Sequence, residues 1–316
     1  MTWTIVVGML AGLSILLYPS TAQWLASYSQ SQLIAGYAAE IENVNPDRHE
    51  QLEAAREYNR LLTSGVDLLA NAHVPQGTGT MSGSTLDYSK ILVADEDGLM
   101  ARLRFPAADI DIPVYHGTAD ATLLKGAGHL EGTHLPVGGE GTRSVITGHR
   151  GLADATMFTH LDRVEEGDRF TIEVFGEVLT YEVGEIRVIE PEDTDSLRAV
   201  PGEDLVTLIT CTPLGINTHR ILVTGHRVTP TPVEDIQKAG AVPEIPGFPW
   251  WALLLGGGIV ATAVFLWRAG YTDAAARDRR RKSEPPLSAT HSDVVPSSLN
   301  SSPSPARVPS LTAQQG

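Results

Sequence analysis

Cysteine is almost missing from this 316-residue chain: Cys211 is the only one. A single thiol excludes an intramolecular disulfide and any cysteine-built zinc site. Basic side chains are also scarce, 23 Lys and Arg against 38 Asp and Glu, for a formal net charge of −15. Seven of the basic residues and four of the acidic ones lie in the final stretch from Arg268, so the rest holds 16 basic against 34 acidic. Such a surface repels phosphate backbones, and no nucleic-acid partner is expected. No internal repeat of fixed period is visible.

What the chain does have is two apolar runs. The run "WTIVVGMLAGLSILLYP", residues 3–19, carries no charged side chain. It reads as an N-terminal membrane segment, a signal anchor retained in the mature protein, with Ser20-Thr21-Ala22 as the alternative cleavage site. The second run, residues 248–268, is uncharged over about 20 residues, enough to span a bilayer. Trp250 and Trp251 at one end and Trp267 at the other make an aromatic belt, and Gly256 to Gly258 argue against a soluble helix. The basic run "RDRRRK" follows, which places residues 269–316 in the cytoplasm and the region between the spans outside the cell membrane. From Ser283 the tail is rich in Ser and Pro and is expected to be disordered. A Pro-rich linker, 229–247, precedes the second span.

Residues 27–87 read as a helical region and a loop. Leu33, Tyr37 and Ile41 fall four apart, Pro46 marks a helix start, and Leu52, Ala55, Tyr58, Leu61 and Leu62 recur at helical spacing. The Gly/Ser/Thr-rich stretch Ser64–Leu86 reads as a long loop of the kind that serves as a lid. Residues 88–228 change to short strands. "MARLRFPAADIDIPVYHG" contains two prolines, which suits edge strands. "RFTIEVFGEVLTYEV" is a hairpin turning at Gly176, and "SVITGHRG", "DLVTLITC" and "HRILVTGHRV" are further strands. The pattern predicts a mainly β fold, an antiparallel barrel or sandwich.

The chemistry concentrates at the strand ends. Cys211 closes a predicted buried strand, a rigid support with an exposed tip. A lone cysteine is often only a small buried hydrophobe. Outside the cell, however, an idle free thiol is an oxidation liability. Arg220 lies nine residues on, at the start of the next strand, and His149 sits between glycines in "TGHRG". A thiol, an imidazole and a guanidinium can carry out acyl transfer. The thiolate attacks a carbonyl, the imidazolium protonates the departing amine, and the guanidinium stabilises the oxyanion. At an unperturbed pKa only ~3% of a thiol is ionised at neutral pH, so neighbouring positive charge matters. His116, His129, His134, His219 and His226 are alternative imidazoles on residues alone. Their spacings match no metal motif, and no metal is expected.

The runs "YHGTADATLLKGAGHLEGTHLPVGGEGTRSVITGHRGL" and "LVTLITCTPLGINTHRILVTGHR" resemble the core of the class C sortases, pilin-polymerising cysteine transpeptidases of Gram-positive bacteria. The TLxTC motif is Thr207 to Cys211. The resemblance implies an eight-stranded sortase-type β-barrel with N-terminal helices, here flanked by two transmembrane helices, and no cofactor. It assigns Cys211, His149 and Arg220 as catalytic and Thr210 as substrate-positioning; Arg150 and Arg227 read as surface or hydrogen-bonding groups. The implied reaction cleaves an LPXTG-type signal between Thr and Gly through a thioacyl enzyme. It then transfers the acyl group to an amine, a pilin lysine in class C enzymes or a peptidoglycan precursor in a housekeeping sortase. A non-catalytic adhesion module with the same barrel would lack one of the three residues, and a papain-like hydrolase would need a long helical domain behind its cysteine and a different local signature, whereas Cys211 follows a strand. Two features depart from the family. Ser64–Leu86 has no Asp-Pro-aromatic lid motif, leaving Asp67 and His73 as its only charged or imidazole side chains, and Leu214 stands where many relatives have Tyr.

Overall fold

Alternating apolar residues draw the middle of the chain into strands, and in the computed structural model those strands close on themselves. The structure describes residues 2–42, 44, 46–63, 86–152, 155–241 and 247–283. The expected lid apart from Leu86, including Asp67 and His73, and the tail beyond Ser283 lie outside these residues.

Helices α1 (Thr2–Glu42) and α2 (Arg48–Thr63) lead into eight strands: β1 (Leu99–Phe105), β2 (Ile110–His116), β3 (Ala127–His129), β4 (Thr142–Thr147), β5 (Arg169–Val174), β6 (Glu177–Ile189), β7 (Asp204–Thr212) and β8 (His219–Arg227). Short helices α3 (Asp120–Leu123) and α4 (Val233–Gln237) sit in connections, and α5 (Trp250–Ser283) follows the barrel. The barrel order is β1-β2-β3-β4-β7-β8-β6-β5.

Two expectations need correction. The barrel is not purely antiparallel: β2 runs parallel to β3 and β4 parallel to β7. Parallel neighbours need a crossover, supplied by the α3 segment in one case and by the β5–β6 hairpin in the other. Nor are the proline-bearing strands at an edge, because closure removes edges. Pro113 is tolerated inside β2 because pairing with β3 starts only at Val114. Pro106 opens a single 3₁₀ turn between β1 and β2. The β5–β6 turn is as expected: Phe175 (φ 46°) and Gly176 (φ 85°) both take the left-handed conformation that a two-residue hairpin requires.

The barrel interior is apolar, with Phe105 and Phe170 5.2 Å apart and Phe170 and Tyr181 stacked at 5.6 Å. Leu103, Ile172, Leu208 and Val223 complete it at 0% exposure. Helix α2 starts at Asp47, whose carboxylate accepts from the backbone of His49 and Glu50 just after Pro46. Its buried face is Leu52, Ala55, Tyr58 and Leu62, with Leu61 left partly outside. Asn59 exchanges hydrogen bonds with the backbone of Leu135, fixing the helix to the loop before β4.

Helix α1 runs unbroken through Pro19, joining the predicted membrane segment to the predicted packing helix. Its barrel-facing residues are Ile34, Tyr37 and Ile41, while Leu33 turns away. The Tyr37 hydroxyl donates to Met100 O and accepts from Phe175 N, so the helix is hydrogen-bonded to the barrel. Helices α1 and α5 are each long and apolar enough to cross a membrane. Trp24 stacks on Tyr28, meets Trp251 edge-on and donates to Gly247 O, so aromatic rings cluster where the two helices approach the barrel. The chain divides into two units, Met1–Thr262 and Ala263–Gly316. In the second, the described residues are the C-terminal part of α5, which ends in the basic run Arg277–Lys282.

Candidate active site

The TLxTC segment is buried from Leu205 to Thr210 and emerges at Cys211, whose thiol is free and half-buried. Strand β8 returns beside it with Arg220 directly opposite Cys211 and His219 opposite Thr212. On the other flank β4 runs parallel to β7, pairing Thr147 with Ile209. The next residue continues the ladder: Gly148 N donates to Ile209 O at 3.1 Å. His149 therefore leaves β4 at the level of Cys211. Neighbouring strands lie about 5 Å apart, so His149, Cys211 and Arg220 form a row across three strands.

All three side chains belong to the outer face of the barrel. Two residues back from His149 and Cys211 are Thr147 and Ile209, and two residues on from Arg220 is Leu222, each on the same face of its strand. Ile209 and Leu222, with Val145, Leu130 and Leu197, form an apolar cluster separate from the barrel interior, and Ile189 packs against it. That cluster is a dry floor directly beneath the row. Leu197 comes from a one-turn 3₁₀ helix, Asp195–Leu197, in the connection between β6 and β7. The alternation in "TLITC" and "RILVT" carries the signal for this layer, although sequence reading alone did not single it out.

The glycines around His149 have steric reasons. A Cβ on Gly148 would come within 2.7 Å of the Phe158 ring. Gly151 takes φ +75°, and a Cβ there would meet Leu214 at 2.8 Å. Leu214 thus packs over the turn that follows His149, and with Ile216 it gives the β7–β8 loop an exposed apolar rim, 55% and 68% accessible. The His149 carbonyl accepts from Phe158 N at 2.9 Å, closing the loop upon itself.

Each predicted residue has a distinct setting. Thr210 is 1% exposed, and its hydroxyl donates to Gly148 O at 2.8 Å. It reaches the row through the backbone that carries His149, tying β7 to the end of β4. Arg220 donates through Nη1 to the carbonyls of Asn217 and His219, both at 3.0 Å. Among the described residues, Nε and Nη2 of Arg220 have no hydrogen-bond partner, and neither has the His149 ring. Arg150 is largely enclosed, its side chain 8% exposed. It donates to Thr212 Oγ1 (3.1 Å) and Thr159 O (3.2 Å) and pairs with Asp162 (2.6 Å). Arg227 is likewise hydrogen-bonded, to Val228 O, Thr180 O and Thr231 Oγ1.

The other histidines have structural settings. His129 is fully buried: its Nε2 lies 2.8 Å from His134 O, and its Nδ1 lies 2.9 Å from the Tyr88 hydroxyl. A carbonyl only accepts, so Nε2 carries the proton and Nδ1 accepts from Tyr88. Burial pushes the His129 pKa down to about 3. His116 lies between the carbonyl oxygens of Gly98 and Ile91, and burial lowers its pKa as well. His134 Nδ1 accepts from Arg143 N, and its pKa is lowered by burial. His226 pairs with Glu203, and His219 Nδ1 meets the Thr218 hydroxyl at the surface. Among the described residues no group of three His, Cys, Asp or Glu is arranged to hold a metal.

Comparison with known proteins falls on the same region. A family model described as Sortase domain matches residues 103–228. Sortase D of Bacillus subtilis is 25% identical over 202 residues, covering 62% of this chain and 93% of its own. Among solved structures, sortase C-1 of Actinomyces oris superposes with a TM-score of 0.51 at 46% identity, covering 57% of this chain and 97% of its own. Sortase C1 of Streptococcus agalactiae does so with a TM-score of 0.55 at 38% identity, covering 62% and 98%.

Proposed function

This chain belongs to the sortase family of cysteine transpeptidases, and on that premise we propose that Cys211, His149 and Arg220 carry its reaction and that its acyl acceptor is a lysine of a pilin subunit. What supports the residue assignment is the row across β4, β7 and β8, in which Arg220 is the direct cross-strand partner of Cys211. What supports the acceptor is the set of sortase C structures among the neighbours.

The reaction then runs in two halves. The Cys211 thiolate attacks the threonine carbonyl of an LPXTG-type signal, and negative charge develops on the carbonyl oxygen. The Arg220 donors left without a partner point to the oxyanion or the adjoining peptide as their acceptor. The C–N bond to glycine breaks, and His149 gives its proton to the departing amine. The product is a thioester on Cys211 with His149 neutral. An incoming lysine amine attacks that thioester, His149 takes the proton from the attacking nitrogen, and the thiolate leaves as the new amide forms.

The proposed domain plan has a membrane segment within 3–19, a catalytic domain over 88–228 outside the cell, a linker over 229–247, a span over 248–268 and a cytoplasmic tail. The basic run at Arg277–Lys282 supports that orientation.

The test uses the full-length protein in detergent with a quenched LPXTG peptide and three acceptors: none, a lysine-bearing pilin peptide and a peptidoglycan-type oligoglycine. Thiol-dependent turnover accelerated by the lysine peptide is the expected result. Acceleration by oligoglycine alone would identify a housekeeping sortase, and undiminished transpeptidation by Cys211→Ala would remove the mechanism.

A further inference from the structure

The residue after His149 and the residue after Cys211 are joined by one side chain. Arg150 reaches from the β4 loop to Thr212, the last residue of β7 (3.1 Å). The same guanidinium holds Thr159 O at 3.2 Å and Asp162 at 2.6 Å. All three of its nitrogens are engaged, and the side chain is 8% exposed. Enclosing a guanidinium is costly unless every donor is matched, and here a planar fork meets three acceptors on three segments. Thr159 bonds back through its hydroxyl to Gly151 N at 3.2 Å, and Phe158 N to His149 O at 2.9 Å. The loop carrying His149 is therefore folded around Arg150, and Thr212 is the point where that folded loop is tied to the strand end bearing the thiol.

The geometry points to Arg150 as a positioning residue that sets His149 against Cys211, through Thr212. Its guanidinium bonds are to Thr159, Thr212 and Asp162, none of them a reacting group. Thr210 supplies a second tie one residue before the nucleophile, through Gly148 O. The two bonds bracket Cys211, one on each side in the chain, and both end on the segment that flanks His149. Thr210 fixes the backbone height of the two strands. Arg150 fixes the loop that decides where the imidazole lies. Lysine cannot substitute, because one ammonium on a flexible stem cannot hold three acceptors in the plane of a guanidinium fork.

This inference rests on the catalytic reading of Cys211 and His149, and its test separates the two. The full-length protein in detergent is compared with Arg150→Lys, Arg150→Ala and Thr212→Val. The primary measurement is the rate of Cys211 alkylation by iodoacetamide across pH, which needs no sorting signal. The ionisable and charged groups on the elements flanking the thiol are His149 from the β4 loop, Arg220 and His219 from β8, and Arg150 behind Thr212. In Arg150→Lys the charge is kept and the fork is lost. Its alkylation profile should shift to higher pH by about half a unit or more, as a thiolate does when it loses a well-placed imidazolium. Arg150→Ala should shift further, and Thr212→Val less and in the same direction. In turnover, kcat of Arg150→Lys should fall about tenfold with KM within about threefold, the pattern of an interaction felt at the transition state.

An Arg150→Lys profile superposable on the wild type would overturn the proposal, whatever happens in Arg150→Ala, because it would leave charge alone as the role. A lowered melting temperature with an unmoved profile would make Arg150 a structural residue only and overturn it equally. If Arg150→Ala fails to fold, the Lys and Thr212→Val arms decide. If the wild type cleaves no LPXTG peptide yet the profiles shift as described, the transpeptidase reading fails and the positioning role stands.

Discussion

His129 and His149 occupy two regions of one barrel, and their settings are opposite. His129 ends β3 inside a closed shell, with Tyr88 on one ring nitrogen, His134 O on the other and no exposed surface. Every hydrogen-bonding position is used, and burial holds the ring neutral. His149 lies just past the end of β4, half-buried, its ring without a hydrogen bond among the described residues, next to a half-buried thiol and a partly unpaired guanidinium. The first region is satisfied and carries fold. The second is unsatisfied and open to a ligand. Half-buried polar groups without a protein partner can be solvated until a ligand takes the water's place, and their gathering at the ends of three adjacent strands is what a reaction site looks like in physical terms.

Substitutions should separate the two regions along that line. The largest effect is expected at the thiol: Cys211→Ala should abolish peptide cleavage and leave the melting temperature nearly unchanged, measured by quenched-peptide turnover and thermal denaturation. His149→Ala and Arg220→Ala should each lower kcat/KM by about 10²- to 10⁴-fold with little loss of stability, the range for a general acid–base or an oxyanion donor. His129→Ala should do the reverse. It removes the imidazole that meets Tyr88 Oη and His134 O and opens a cavity in a buried shell, for a loss of about 2–4 kcal/mol in denaturant unfolding. Activity per folded molecule should be near wild type. If His129→Ala were inactive while fully folded, the contrast between the two regions would collapse.

Acid sharpens the same contrast. The His129 pKa is depressed in the fold relative to about 6.5 in the unfolded chain. Below that value the unfolded chain binds more protons than the native state, so this group's contribution to stability is present at neutral pH. It is lost progressively as pH falls from about 6.5 toward about 3. His116 and His134 are shifted in the same direction by burial. Unfolding free energy should therefore decline through this window, and the His129→Gln variant should show a shallower decline. The smallest effect is expected at Thr210→Val, a loss of about 1 kcal/mol from the bond to Gly148 O, with a modest fall in kcat.

Much of this was readable in the sequence, for reasons that differ by element. The hairpin at Gly176 and the start of α2 behind Pro46 follow from local chemistry: positive φ at a two-residue turn, and a capping carboxylate after a proline. Cys211 and Arg220 were placed correctly as neighbours because a short loop between two strands leaves little choice of register. Barrel closure and the parallel pairings were not readable, since they depend on which strands meet across long connections. Pro113 misled for the same reason: it suggests an edge only if its neighbour is assumed to pair along the full strand. Arg150 read as a surface or hydrogen-bonding group; the second is what the structure shows, but nothing local reveals that Thr159, Asp162 and Thr212 converge on it. The apolar floor beneath the row was encoded in part in the alternation of β7 and β8, but another of its residues, Leu197, comes from an irregular segment with no such pattern.

The central claim is that the lone thiol carries the acyl group, and the most direct measurement is the intact mass of the protein during turnover. Full-length protein is mixed with an LPXTG peptide without an acceptor amine, quenched in acid and weighed. The account predicts an added mass equal to the peptide fragment ending at threonine. The adduct should map to Cys211, be removed by hydroxylamine and be absent from Cys211→Ala. Cleavage that proceeds in Cys211→Ala, or wild-type turnover with no such adduct under conditions that preserve thioesters, would contradict it.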